Sequence, residues 1–160
     1  MSVAMGDVDG NGAVELVTGS RIGGVHLKEH GGERAWDLNL GSQVTDVAVA
    51  DLTGGGLPSV LACSTNHYLV CTDAEGALTW RRNVGGAARQ MALADVNGDG
   101  ALEIVVAVAG EVPAIVGADG TLLGRVGPPD AEWIAIADVD GDGRPELVAA
   151  KDGLVAAYRL

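Results

Sequence analysis

The sequence predicts an all-β fold built from four similar units, and three observations carry that reading. An acidic phrase recurs at a near-constant interval along the chain. The apolar runs are strand-length and rich in Val, Leu and Ala, and Gly or Asp interrupts them every few residues. No window holds a 3.6-residue apolar period over a helical length. The chain has 160 residues, 48% of them apolar, enough to bury the core of one domain. Its 25 glycines are scattered instead of periodic, which fits many tight turns.

The interval comes first. Aligning on the aspartate after an apolar run brings Asp7, Asp51, Asp95 and Asp138 into register, at spacings of 44, 44 and 43 residues. Gly32, Gly76 and Gly120 each follow their aspartate by 25 residues, and Trp36 and Trp80 follow theirs by 29. The lost residue therefore falls between Gly120 and Asp138. Within a unit, runs such as VTDVAVADL, LEIVVAV, HYLVCTD and ALTWRRNV read as strands, and EG, DG and GG are hairpin-turn chemistry. Four short strands in about 44 residues are the size of one propeller blade. The expectation is a single β-propeller domain over residues 1–160, with blades near 2–43, 44–87, 88–131 and 132–160. The fourth blade stops before its last strand.

The acidic phrase joins the first strand of each unit to the second. Three copies, DVDGNGAVE (Asp7–Glu15), DVNGDGALE (Asp95–Glu103) and DVDGDGRPE (Asp138–Glu146), share D-x-[DN]-G-[DN]-G-x-x-E. Oxygen donors at positions 1, 3 and 5 converge when Gly at 4 and 6 lets the backbone curl. A carbonyl at position 7 and a carboxylate at position 9 complete a shell. The candidate ligands are Asp7, Asp9, Asn11, Ala13 and Glu15; Asp95, Asn97, Asp99, Ala101 and Glu103; and Asp138, Asp140, Asp142, Arg144 and Glu146. Hard oxygen donors without Cys or His select Ca²⁺, with Mg²⁺ the lesser choice, at about three sites. Turn formation alone would also favour Asp, Asn and Gly, but three loops in register argue for a cation. The second unit is an internal control. DLTGGGLPS (Asp51–Ser59) keeps the first aspartate but has Thr53, Gly55 and Ser59 at positions 3, 5 and 9, so it should turn without binding metal.

Charge narrows the partners. The net charge is −12, and ten of the 22 acidic residues lie in those three nine-residue windows. That excludes nucleic acid, whose affinity is built from Lys and Arg. No apolar run approaches the roughly 20 residues that cross a bilayer, so no membrane insertion is expected. MSVAMGDVDG lacks a basic segment followed by an apolar one, so no secretory signal is expected. Cys63 and Cys71 could face each other across a hairpin, as a disulfide or, preferably, as two buried thiols.

With the spacing and these loops in hand, the chain resembles the FG-GAP/VCBS repeat family, the calcium-binding blades of integrin α-subunit-like propellers. The resemblance spans essentially the whole chain. It implies Ca²⁺ in the loop between the first two strands of a blade, on the residues named above, and favours an extracellular or cell-surface setting. Family loops often end in Asp at position 9, where this chain has Glu, and the FG and GAP signatures are absent. More weakly, GALTWRRNVGG (Gly76–Gly86) is similar to the Trp-bearing ending of quinoprotein-type propeller repeats. That Trp would mark where an outer strand packs on the next blade.

No catalytic constellation stands out. His26, His30 and His67 occupy unrelated repeat positions and read as surface residues, and no nucleophile elbow or Cys/His metal spacing appears. Acid pairs can imitate a glycosidase dyad, but three copies at one repeat position point to structural metal. The reading is therefore a non-enzymatic calcium-binding scaffold for protein or glycan. One alternative is part of a propeller enzyme, a polysaccharide lyase or quinoprotein, with Arg81, Arg82 and Arg89 at the ring centre. Another is a self-assembling half-propeller without further ligand. Four blades in an open arc would leave two apolar faces bare, so a homodimer closing an eight-bladed ring is expected, with blade four against blade one. A closed four-bladed monomer and a piece of a longer propeller are the other possibilities.

Overall fold

A computed structural model describes the whole chain, Met1–Leu160. Fifteen strands and no helix form four antiparallel sheets. The first holds β1 (Ser2–Gly6), β2 (Glu15–Gly19), β3 (Gly24–Lys28) and β4 (Arg34–Asn39). The second holds β5 (Val44–Ala50), β6 (Ser59–Ser64), β7 (Tyr68–Thr72) and β8 (Leu78–Asn83). In the third are β9 (Ala88–Ala94), β10 (Glu103–Val108), β11 (Ala114–Val116) and β12 (Leu122–Arg125). The fourth has three strands, β13 (Trp133–Ala137), β14 (Glu146–Lys151) and β15 (Leu154–Arg159). Each sheet is a meander in chain order.

The apolar pattern explains the stacking. β6 and β10 are buried on both faces, so SVLACS and EIVVAV read as continuous apolar runs, whereas the outer strands β4 and β8 have exposed residues at alternate positions. Successive side chains point to opposite faces, so each middle sheet feeds two cores. Val60 and Ala62 join Val17, Val25 and Leu27 between the first and second sheets. Leu61 and Cys63 join Met91, Ile104 and Val106 between the second and third. Val105 and Ala107 meet Ile134, Leu147 and Ala149 between the third and fourth.

Cys63 and Cys71 are free, buried thiols within the second of these cores. Each lies opposite a leucine on the neighbouring strand, Cys63 beside Leu69 and Cys71 beside Leu61. Desolvation raises both thiols above the ordinary range. Native protein should therefore leave both unreacted with a thiol-specific chromogenic disulfide, and denaturant should release two equivalents per chain. Two rapid equivalents without denaturant would contradict this burial.

The innermost strands are tied to one another by side chains at one repeat position. Val47 N donates to Ser2 Oγ at 3.2 Å, Met91 N to Asp46 Oδ2 at 2.9 Å, and Ile134 N to Gln90 Oε1 at 3.1 Å. Ser2 Oγ also donates to Asp46 Oδ1 at 2.8 Å. Trp133 holds this position in the fourth sheet. The row of four sheets does not close on itself: Val3 and Met5 on β1 are 60% and 71% exposed, and Trp133 on β13 is 67% exposed. A closed four-bladed monomer is thus not the form adopted.

The outer edges are joined by indoles. Trp36 on β4 donates its Nε1 to Ala74 O at 2.8 Å, and Trp80 on β8 donates to Ala118 O at 2.9 Å. Each ring lies over the turn of the following sheet, at Gly76 and Gly120. Gly124 occupies the third Trp position, and the fourth sheet has no third-to-fourth-strand turn for an indole to cover.

Candidate metal centre

All four first-to-second-strand loops share one backbone. Glycines at positions 4 and 6 take positive φ in every copy, including Gly54 and Gly56 of the second. The position-6 amide donates to the position-1 carboxylate each time: Gly12 to Asp7 at 2.9 Å, Gly56 to Asp51 at 2.6 Å, Gly100 to Asp95 at 2.9 Å and Gly143 to Asp138 at 3.0 Å. The curl therefore needs only the aspartate and the two glycines, and the loop that lost its other acids keeps it.

The position-9 glutamate has a role that residue type and spacing alone did not disclose. One of its oxygens caps the backbone at position 2: Val8 N donates to Glu15 Oε2 at 2.7 Å, and Val96 and Val139 donate to Glu103 and Glu146 at 3.0 Å. This bond turns the glutamate inward at the start of the second strand. Glu15 is 1% exposed, and its Oε1 has no partner. Asp7 Oδ1 is likewise buried and unpartnered. Buried carboxylate oxygens without donors are costly, and a cation is the group that satisfies several at once.

Two loops gather three carboxylates, with one oxygen from each within 4.8 Å of the others: Asp7, Asp9 and Glu15, and Asp138, Asp140 and Glu146. These are positions 1, 3 and 9. The position-5 oxygen is engaged by backbone, accepting from Ala13 N at Asn11, Ala101 N at Asp99 and Arg144 N at Asp142. In the third loop the position-3 residue is Asn97, whose amide nitrogen donates to Asp99 Oδ2 at 2.9 Å and Glu103 Oε1 at 3.3 Å. An amide there donates hydrogen bonds to the neighbouring carboxylates, which the carboxylates of Asp9 and Asp140 cannot do. The fourth loop has a different counter-charge, Arg159 of β15, whose Nη2 lies 3.8 Å from Asp140 and 3.7 Å from Asp142. Its contact is a product of the β14–β15 pairing, which no loop motif encodes. The oxygen-only donor set at the first loop fits a hard divalent cation.

Backbone amides hold the Asp51 and Asp95 carboxyls below their ordinary range, chiefly through Gly56 and Gly100. Asp130 shifts the same way, first through the Gly110 amide and also through Arg89. A carboxylate depressed in the fold stabilises it above the unfolded value and loses that contribution as pH falls through the folded value. Melting in EGTA should therefore hold steady down to about pH 4 and decline below it. A melting temperature unchanged to about pH 2.5 would contradict the amide-held turns.

The residues considered for catalysis are dispersed. His26 bonds Asp37 across β3 and β4, with Arg34 on the same carboxylate at 2.6 Å. Arg81 lies 5.2 Å from the Tyr68 ring centre, Arg82 bonds Gly120 O, and Arg89 pairs with Asp130 at 2.9 Å. A polar cleft of about 550 Å³ runs between the third and fourth loops, lined by Asp95, Asn97, Arg144 and Leu160 among others.

Comparison with known proteins agrees with this architecture. Residues 95–149, which contain the third and fourth loops, match the model of the FG-GAP-like repeat. No curated protein matches the chain. Among solved structures, BBS1N in complex with ARL6DN superposes with a TM-score of 0.78 at 14% identity, over 99% of this chain and 46% of that one. The V. cholerae biofilm matrix protein Bap1 gives 0.69 at 21% identity, over 96% of this chain and 29% of that one. The computationally designed Ika4 protein gives 0.68 at 18% identity, over 99% of this chain and 89% of that one. The chain thus spans less than half of the two natural chains and most of the designed one, and these likenesses establish a β-propeller-like fold. The recurrent D-x-[DN]-G-[DN]-G-x-x-E corners, the matched segment and the fold converge: residues 95–149 match an FG-GAP-like repeat, set within a β-propeller-like fold.

Proposed function

We propose that the protein is a non-enzymatic repeat scaffold whose corners are pinned by Ca²⁺ and whose loops are presented to a protein or glycan. The observation that carries this reading is the Asp7–Asp9–Glu15 cluster, with two buried oxygens that no protein donor reaches. Its counterpart at Asp138–Asp140–Glu146 supports a repeated site. When bound, Ca²⁺ supplies positive charge that relieves repulsion among these carboxylates. The chain supplies the rest: position-1 aspartates and position-4 and -6 glycines set the curl, and the glutamates anchor it to the second strand. A scaffold role is supported by the polar cleft between adjacent corners and by the BBS1N neighbour, whose structure is of a complex with another protein.

Calcium titration by calorimetry tests the proposal. About three sites are expected, with the Asn97 loop the weakest of them. Asp140→Ala should lower the stoichiometry by one, and Thr53→Ala should leave it unchanged. Absence of any calcium-dependent heat or melting shift would refute it.

A further inference from the structure

We propose that the two bare end faces of the four-sheet arc are complementary halves of one sheet–sheet interface, and that a second copy of this chain covers both. The inference rests on packing and is independent of the calcium reading. Every sheet has an incoming face and an outgoing face, and the chain shows three completed junctions between them. At the incoming face, the positions of Val3 and Met5 are filled by Val47 and Val49, Met91 and Leu93, and Ile134 and Ile136 in the other sheets. All six pack in a core against the preceding sheet. Ala4 and Gly6 of β1 turn toward the second sheet, so alternation points Val3 and Met5 the other way, onto nothing in this chain. Their exposure is the signature of a junction without its second half.

The outgoing face of the fourth sheet supplies that half. Its large exposed apolar residues are Trp133, Val139 and Val155. Val139 corresponds to Val8 and Leu52, and Val155, opposite Ala150 in the ladder, to Val25 and Leu69, all buried in the internal junctions. Trp133 departs from the pattern in an informative direction. Ser2, Asp46 and Gln90 accept a backbone N–H from the next inner strand, and an indole has no acceptor for that bond. A solvated end would favour a polar group there. A large indole is suited to bury apolar area against Val3 and Met5 of a neighbouring copy, where Trp commonly anchors interfaces.

The contact joins two different faces, so it is heterologous and either closes or polymerises. Two copies make eight sheets, at the upper end of the common propeller sizes of about four to eight blades, which favours closure. Sedimentation velocity and light scattering on the full chain at about 50 µM should give twice the 16.1 kDa of one chain. Trp133→Asp and Met5→Asp should each yield folded monomer, checked by circular dichroism. Mixing the two variants should restore dimer, because the mixed pair retains one unaltered junction. A wild-type monomer, or a mass beyond the dimer, would overturn the two-copy ring. Dimer that survives Trp133→Asp would show that this face is not used. If either variant does not fold, the milder Trp133→Ser and Met5→Ser apply the same test.

Discussion

Glu15→Gln should change the sign of its effect on stability with calcium. In EGTA the substitution keeps an oxygen for the Val8 N–H while removing a charge that is 1% exposed and half unpartnered. The new amide nitrogen can donate to the other orphan, Asp7 Oδ1, which lies in the same cluster. Satisfying buried acceptors and removing a buried charge should stabilise the metal-free protein by about 1–3 kcal/mol. With Ca²⁺ at about a hundred times its dissociation constant, a site contributes about 2.7 kcal/mol, and loss of a charged ligand forfeits most of it. The variant should therefore melt above wild type in EGTA and below it in calcium. Ser59→Ala, at the same position in the second loop, should shift the melting temperature equally in EGTA and in calcium. A Glu15→Gln effect of one sign in both buffers would mean that the glutamate serves only as a backbone cap.

Much of this corner was legible in the sequence because its chemistry is local. Asp7, Gly10 and Gly12 act within six residues, and one aspartate and two glycines recur at the same positions of each loop, so a linear motif captures the curl. Repeat spacing likewise located the sheets, since each meander closes hydrogen bonds only to its sequence neighbours. What the motif did not distinguish was how the oxygens divide their work. Position 5 falls outside the two three-carboxylate clusters, and Asn11, Asp99 and Asp142 each accept from the amide two residues on, as Asp9 does from Asn11 N. Asn97 and Asp9 are interchangeable in a consensus, but an amide donates where a carboxylate cannot, and only the Asp9 and Asp140 loops gather three carboxylates. The Ser2–Asp46–Gln90 relay was hidden for a different reason. Its members share a geometry across about 44 residues without sharing a residue type, so no motif marks them.

The junctions between sheets yield the other large expected effect. Gly76→Ala and Gly120→Ala should each destabilise the fold by about 2–4 kcal/mol, from strain and overpacking together. Both glycines have φ of +81°, a region that an L side chain enters at a cost. A Cβ would also stand 2.6 Å from Trp36 Cδ2 at Gly76 and 2.7 Å from Trp80 Cδ2 at Gly120. Neither indole can retreat freely, because its Nε1 is bonded to the carbonyl of Ala74 or Ala118 in that same turn. The consequence is specific to the junction: the ring must lift, breaking the bond that ties one sheet's outer strand to the next sheet's turn. Gly32 has the same turn geometry, with φ of +83° and nothing within 4 Å of its Cβ position. Gly32→Ala should therefore show the backbone term alone, about 1 kcal/mol. Denaturant melts of the three variants separate the two contributions. Equal losses at Gly32, Gly76 and Gly120 would assign the whole cost to φ and leave the Trp caps without energetic weight.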